Sequence, residues 1–421
     1  MKQIKIVFLS KLLRGGAGVA AQRLFHSIPR YKDHLVILKE FYSLQECHHI
    51  NFYKLDYSNI PIPEKVFRKW RQFLYNKRNS NFLSERPENL ESFLLIDHYH
   101  YLKVKADIIH LHWVSDFFNL PFLMKKLEKE AKVVISLHDE SMYTGGCSYS
   151  LGCQKFMSGC KCCPQLGNPG KRDLSYLNYK LKKELFKDER IHFVANSSYI
   201  RDRAKKSGII PNSKEISYIP FGFKSFDSFS KEDLEIFRKK YGLPRNKKIV
   251  LAGADHIHFQ RKGFKFLTKA ISSISPERDD FQLVLFGSGF TSLNNEVDYL
   301  SLDFLDQLEL AKLYSLSYCL VFPSVQEAFG LICQEALGYG LPVVGFDNGG
   351  INELVENGYN GFISRDLSTQ GLASSIRLIL NLSKSEYLKF KEHARMKVKV
   401  SYSEEKMTRD YLKFYTELIT S

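Results

Sequence analysis

The chain has 421 residues, 44% of them hydrophobic and 25% charged, ordinary proportions for a globular protein and ample length for two domains. Its net charge of +15 suits a partner carrying negative charge: nucleic acid, an anionic membrane surface or a phosphorylated substrate. No apolar run reaches the ~18 residues of a membrane-spanning helix. The amino-terminal MKQIKIVFLSKLLRGG has an apolar core of only Ile6 to Leu9 and no small-residue cleavage site, so it reads as a first strand rather than a signal peptide. The expected location is the cytoplasm.

Ile4 to Ser10 reads as a buried parallel strand, followed by Arg14-Gly15-Gly16-Ala17-Gly18 and a helical pattern from Val19 to Ile28. Glycines at a strand–helix turn let backbone approach a ligand closely, although the spacing is not the dinucleotide fingerprint. From Lys65 to Arg78 the sequence KVFRKWRQFLYNKR places Val66, Phe67, Trp70, Phe73 and Leu74 at helical spacing among basic residues. Such a basic amphipathic helix suits an anionic lipid surface, or packs its stripe on the protein's own core. Asp107 to Trp113 and Val133 to Asp139 are two further strands. They end in His110 and His112 and in His138-Asp139, where parallel strands meet a ligand cleft. A histidine in that place, opening the loop Asp139 to Gly146, is a candidate site residue.

Five of the eight cysteines fall between Cys147 and Cys163. In a cytosolic protein such clustering argues for metal before disulfide. Cys160-x-x-Cys163 has zinc-knuckle spacing, and Cys147 and Cys153 would complete a tetrahedral set, with Cys162 left over. Reduced thiols and a redox pair are the alternatives. Ile191 to Ala195 and Ile216 to Pro220 are the last strands of the first half, and the polar stretch Lys224 to Asn246 crosses to a second half. There the α/β pattern restarts at Lys248 to Ala252, with Arg261-Lys262-Gly263 before a helix and Phe281 to Phe286 before Gly287-Ser288-Gly289. Glu404 to Ile419 is an amphipathic helix with Met407, Tyr411, Phe414, Tyr415 and Leu418 on one stripe.

The most informative stretch is VFPSVQEAFGLICQEALGYGLPVVGFDNGG, Val321 to Gly350. A strand ends at Pro323, a loop carries Glu327, and Gly330 opens a helix holding Glu335. A second strand, Pro342 to Phe346, then ends in Asn348-Gly349-Gly350. A helix start at Gly330–Leu331 offers N–H groups to a phosphate, and Glu335 stands roughly 7 Å along the helix. Two carboxylates so spaced can each accept from a vicinal diol, which suits a nucleotide sugar with hydroxyls at both ends and a diphosphate between. The bland alternative is an N-terminal helix acid plus a solvated one. Glu327 and Glu335 with Phe329-Gly330 between them, flanked by Pro-Ser, Glu-Ala-Leu and Gly-Leu-Pro-Val-Val, resemble the paired-glutamate motif of retaining GT-B glycosyltransferases of family four.

That resemblance implies an α/β fold of two Rossmann-like domains with parallel sheets facing a cleft. The boundaries expected are residues 1–222 for the acceptor domain, with the cysteine-rich insert at about 144–167, 223–402 for the donor domain, and 403–421 for a helix returning to the first. It implies transfer of a hexose from a nucleoside diphosphate sugar to a glycan or lipid-linked acceptor, with retention and without a metal cofactor, in bacterial surface-polysaccharide assembly. By the same resemblance Glu327 orients the donor sugar and Glu335 holds the ribose. Lys262 holds the diphosphate, with Gly16, Phe329, Gly330 and Leu331 around the donor, and His138 faces the sugar or acceptor. The family's usual arginine is Ala254 here, which leaves Arg261 to supply the second positive charge, and the family's usual Pro-Asn-Gly is Pro220-Phe221-Gly222. A GT-B epimerase or phosphorylase, or a basic nucleic-acid-binding protein, are the competing classes; no recognised nucleic-acid module is present.

Overall fold

The computed structural model describes residues 4–10, 15–28, 106–114, 120–166, 170–226, 228–257, 259–290 and 297–420, and the backbone of 35–38 and 52–54. The basic stretch Lys65 to Arg78 lies outside the described residues. The chain divides into two compact units, Met1–Gly222 with Met407–Ser421, and Phe223–Lys406.

In the first unit seven strands form one parallel sheet: β1 (Ile6–Ser10), β2 (Leu35–Leu38), β3 (Phe52–Lys54), β4 (Ile108–His112), β5 (Lys132–Leu137), β6 (Ile191–Ala195) and β7 (Ile216–Tyr218). Their order is β3-β2-β1-β4-β5-β6-β7. β1, β4 and β5 are buried along nearly their whole length and mainly apolar, because a parallel sheet is covered on both faces; His110, His112 and Ser136 are polar exceptions within them. The order reverses between β1 and β4, which pair Ser10 with His112 at their carboxyl ends. Ligands of open α/β sheets bind at such a switch point. The C-terminal helix Glu404–Thr420 contributes Met407, Tyr411, Tyr415 and Leu418 to a core with Phe8, Ile108, Val134 and Val194. Its period of three to four residues is the stripe seen in the sequence.

In the second unit six parallel strands follow the same plan: β8 (Lys248–Ala254), β9 (Phe281–Gly287), β10 (Tyr299–Leu302), β11 (Cys319–Phe322), β12 (Val343–Phe346) and β13 (Gly361–Ser364). Their order is β10-β9-β8-β11-β12-β13, and the reversal lies between β8 and β11. The helices Phe264–Ile274 and Thr369–Leu380 bury Leu267, Ile271, Leu372 and Ile376 against the sheet. Each full burial of such a side chain stabilises by roughly 1.5–3 kcal/mol. Both switch points therefore open at strand ends that carry candidate site residues. No described helix is long and apolar enough to cross a membrane.

Candidate functional site

The second unit builds its site on the loops after β8 and β11. Arg261 and Lys262 sit on a short 3-10 turn, Gln260–Lys262. Gly263 closes it at φ +66°, where a Cβ would lie 1.8 Å from the Pro323 carbonyl oxygen. Only glycine tolerates both that conformation and that approach. The turn is thereby pressed onto the end of β11, and Val325 N–H donates to the Arg261 carbonyl at 2.7 Å. From there both cations reach Glu327 Oε2, Lys262 Nζ at 2.8 Å and Arg261 Nη1 at 3.2 Å. On its other side the Glu327 carbonyl accepts from Gly350 N–H at 2.9 Å, and Gly349 lies against it at φ +111°. Glycine is thus required at 349 for the same reason as at 263.

Gly330, at φ +96°, caps the helix Leu331–Gly338 with no side chain at its N-terminus. Phe329 is buried, edge-on against Tyr402. Glu335 is the fifth residue of that helix, and its Oε2 accepts from Tyr314 OH at 3.1 Å. Tyr314 stacks on Tyr339 and meets Phe286 edge-on. Tyr314 escaped the sequence reading, because nothing local marks a tyrosine on a neighbouring helix as a carboxylate's partner. Ala254 is buried at the end of β8, with its carbonyl packed on Gly287.

The first unit brings three histidines together. His138 follows β5 directly, and its Nε2 lies 2.9 Å from His112 Nδ1. His110 Nδ1 meets Tyr415 OH at 2.6 Å, and its Nε2 meets Ser136 Oγ at 2.8 Å. Phe221 stacks on the His138 ring at 5.4 Å between centroids and 18° between planes. The residue that departs from the usual Asn thus supports the histidine. Burial pushes the His138 pKa down to about 3. Burial and the neighbouring histidines hold His110 and His112 well below the ordinary range. All three rings are therefore neutral at pH 7, and His138 is equipped to hydrogen-bond rather than to carry charge. Gly16 is exposed, the second residue of the helix Gly15–Ser27.

Cys147, Cys153, Cys160 and Cys163 line one cavity with Gly145, Ser150, Phe156 and Ser175. Gly145 N–H donates to Cys160 Sγ at 3.2 Å, and Cys163 N–H to Asp173 Oδ2 at 2.7 Å. All four thiols are free, and burial pushes Cys160 up to about 11. Among the described residues no group of three or more His, Cys, Asp or Glu side chains is arranged to hold a metal ion. Lys182 is buried beside this segment and donates to the carbonyls of Ser141 and Thr144 at 2.5 and 3.3 Å.

Residues 246–381, which carry Arg261, Lys262, Glu327 and Glu335, match the family model described as Glycosyl transferases group 1. The likeness to known glycosyltransferases extends beyond that stretch. The chain is 28% identical over 222 residues to N-acetyl-alpha-D-glucosaminyl L-malate synthase of Bacillus anthracis, covering 50% of this chain and 56% of that relative. It is 26% identical over 334 residues to the putative colanic acid biosynthesis glycosyl transferase WcaC of Escherichia coli, covering 74% of this chain and 75% of the relative. HepE of Anabaena, solved in complex with UDP and glucose, superposes with a TM-score of 0.68 at 18% identity, covering 99% of this chain and 100% of that one. The fold class is that of the GT-B glycosyltransferases, as the paired-glutamate motif led one to expect.

Proposed function

We propose that the protein is a retaining GT-B hexosyltransferase. It would move a hexose from a nucleoside diphosphate sugar to a hydroxyl of a glycan or lipid-linked glycan in surface-polysaccharide assembly, with the donor on the second unit and the acceptor mainly on the first. The observation that carries this reading is the convergence of Lys262 and Arg261 on Glu327 at the switch point of the second sheet. Two cations there suit a diphosphate, and a carboxylate between them suits a sugar hydroxyl. The HepE complex with UDP and glucose, and the colanic acid assignment of the Escherichia coli relative, support it.

In this mechanism no protein nucleophile is required. Lys262, Arg261 and the amides at Gly330–Leu331 hold the charge that grows on the departing diphosphate, and that phosphate takes the acceptor's proton. Positive charge is supplied by side chains, so no divalent cation is assigned. Glu327 orients the sugar, Glu335 the ribose, and neutral His138 the sugar or acceptor. A cytoplasmic enzyme working at the inner membrane face fits a lipid-linked acceptor, with Lys65 to Arg78 as the lipid-facing stretch.

A thermal-shift screen against the common nucleoside diphosphate sugars tests the reading, since a donor bound at 100 times its Kd stabilises by about 2.7 kcal/mol. One donor should raise the melting temperature and be consumed only with an acceptor. Isomerisation of that sugar without acceptor would overturn the assignment. Within it, Glu335→Gln should raise the donor KM by about tenfold, the equivalent of a hydrogen bond to a charged group, with kcat nearly unchanged. The ribose changes little as the glycosidic bond breaks. An equal loss in kcat would remove Glu335 from the ribose.

The thiol cavity supports a second proposal, a structural zinc bound by Cys147, Cys153, Cys160 and Cys163 once their side chains turn toward the common space. Protein from zinc-replete medium should then carry about one zinc per chain, and chelation should lower its melting temperature. Metal-free protein of unchanged stability ends that proposal.

A further inference from the structure

His110, His112 and His138 differ in how their nitrogens are used. Both nitrogens of His110 are tied, to Tyr415 and Ser136, so that ring is structural. The His112–His138 pair is not closed. His112 Nε2 and His138 Nδ1 are both buried, and neither has a hydrogen-bond partner among the described residues. An unpaired buried polar atom is costly, and two on one contact call for an explanation. The pair also stands in a marked place. His112 ends β4 opposite Ser10, at the switch point of the first sheet. The next residue, Trp113, is held at φ +45°, a conformation disfavoured for a bulky side chain and concentrated at functional sites. Phe221, stacked on His138, limits rotation of that ring.

We propose that His112 is a positioning residue: its Nδ1–H donates to Nε2 of His138, which puts the His138 proton on Nδ1 and presents it as an uncharged donor to a substrate oxygen. The direction follows from what each tautomer leaves behind. If His112 donates, its buried Nε2 is a bare lone pair. If His138 donates, His112 Nε2 carries a buried orphan N–H, the rarer and costlier outcome. Among the described residues His138 then lacks a partner at Nδ1, and an oxygen of sugar or acceptor completes it. Burial keeps the His138 ring uncharged; the titratable groups of β4 near it are His112, in contact, and His110, Asp139 adjoins it in sequence, and Tyr411 and Tyr415 of the C-terminal helix pack on His110. The inference rests on the glycosyltransferase reading for the identity of the oxygen, but not for the tautomer.

Two variants of the full chain test it. His112→Asn places an amide nitrogen near the position of Nδ1, while His112→Phe keeps a ring and removes the donor. Long-range proton–nitrogen correlation of the imidazoles should show His138 as the Nδ1–H tautomer in the parent, without protonation down to pH 5, and a mixed population in His112→Phe. With the donor identified above, His112→Phe should lower kcat by about tenfold, the rate equivalent of one lost hydrogen bond, with KM little changed, and His112→Asn should recover most of it. A parent His138 found as the Nε2–H tautomer, or titrating near pH 6.5, overturns the proposal even if no donor is ever found. Equal kcat in parent and His112→Phe overturns it too. Absence of transfer by the parent, with the expected tautomer present, would instead remove the glycosyltransferase reading and leave the pairing standing.

Discussion

With the activity proposed above, Glu327→Gln should slow sugar transfer markedly while tightening the grip on the diphosphate alone. Glu327 Oε2 is the shared counter-ion of Lys262 and Arg261, and the three side chains are only 12–18% exposed. At those separations in a partly dry site their charges are strongly coupled. A donor diphosphate must draw the two cations from the carboxylate, so the carboxylate competes with it. Glutamine keeps the shape and removes the charge. Inorganic pyrophosphate should therefore bind the variant more tightly than the parent. The transferred sugar loses a charge-assisted hydrogen bond worth about 1.5–3 kcal/mol, most needed as the anomeric carbon gains positive character. That corresponds to a fall in kcat of roughly tenfold to hundredfold. Calorimetry with pyrophosphate and initial rates with donor read the two halves separately. Parental kcat in a variant that melts like the parent would make the loop a scaffold. Weaker pyrophosphate binding would show that Glu327 orients the cations instead of competing.

The parts of this site that could be read from the sequence are those that follow strands. β1, β4, β5, β8, β9 and β11 are buried nearly throughout, so each is legible as a mainly apolar run, and polar residues at or after its end are delivered to the sheet's carboxyl edge. His138 arises in this way, directly after β5, while Lys262 and Glu327 lie further along the loops that follow β8 and β11. The docking of Arg261 onto Glu327 depends on Gly263 fitting against Pro323, a tertiary contact whose only local sign is a glycine. The supports of the site were not legible at all. Tyr314 behind Glu335, Phe221 on His138 and Tyr415 on His110 come from distant segments, and an aromatic residue in a helix or loop carries no mark of the polar group it covers. The cysteines are intermediate: their crowding was plain, and the fold gathers four of them round one cavity. Spacing alone says nothing of where each sulfur points.

The segment after His138 depends on a buried ion pair, and Arg203→Ala should be the most destabilising single change in the first unit. Glu140 has a fully buried side chain. Its Oε1 lies 2.6 Å from Arg203 Nε, and its Oε2 accepts from Ser150 N–H at 2.6 Å. Charge attraction to Arg203 and hydrogen bonding with it both favour the ionised carboxylate. Arg203 also reaches Ser150 Oγ at 2.7 Å and covers the Phe156 ring at 4.7 Å. Removing the arginine strands a carboxylate in the interior, at a cost of about 3–5 kcal/mol. For a unit of this size that is a melting shift of roughly 6–20 °C. Burial already raises the Glu140 pKa above the ordinary value, and Arg203 is the largest influence lowering it. Without Arg203 it rises further. A folded-state pKa above the unfolded one means that the native form binds the extra proton, so stability falls as pH rises through that window. The deficit of Arg203→Ala should thus be larger at pH 8 than at pH 5, and Glu140→Gln in the same background should restore part of it at pH 8. Circular dichroism melts of parent, single and double variants at the two pH values decide this. A deficit that does not change with pH, or no restoration by glutamine, would mean that Arg203 acts through its packing on Phe156 and not through the charge of Glu140.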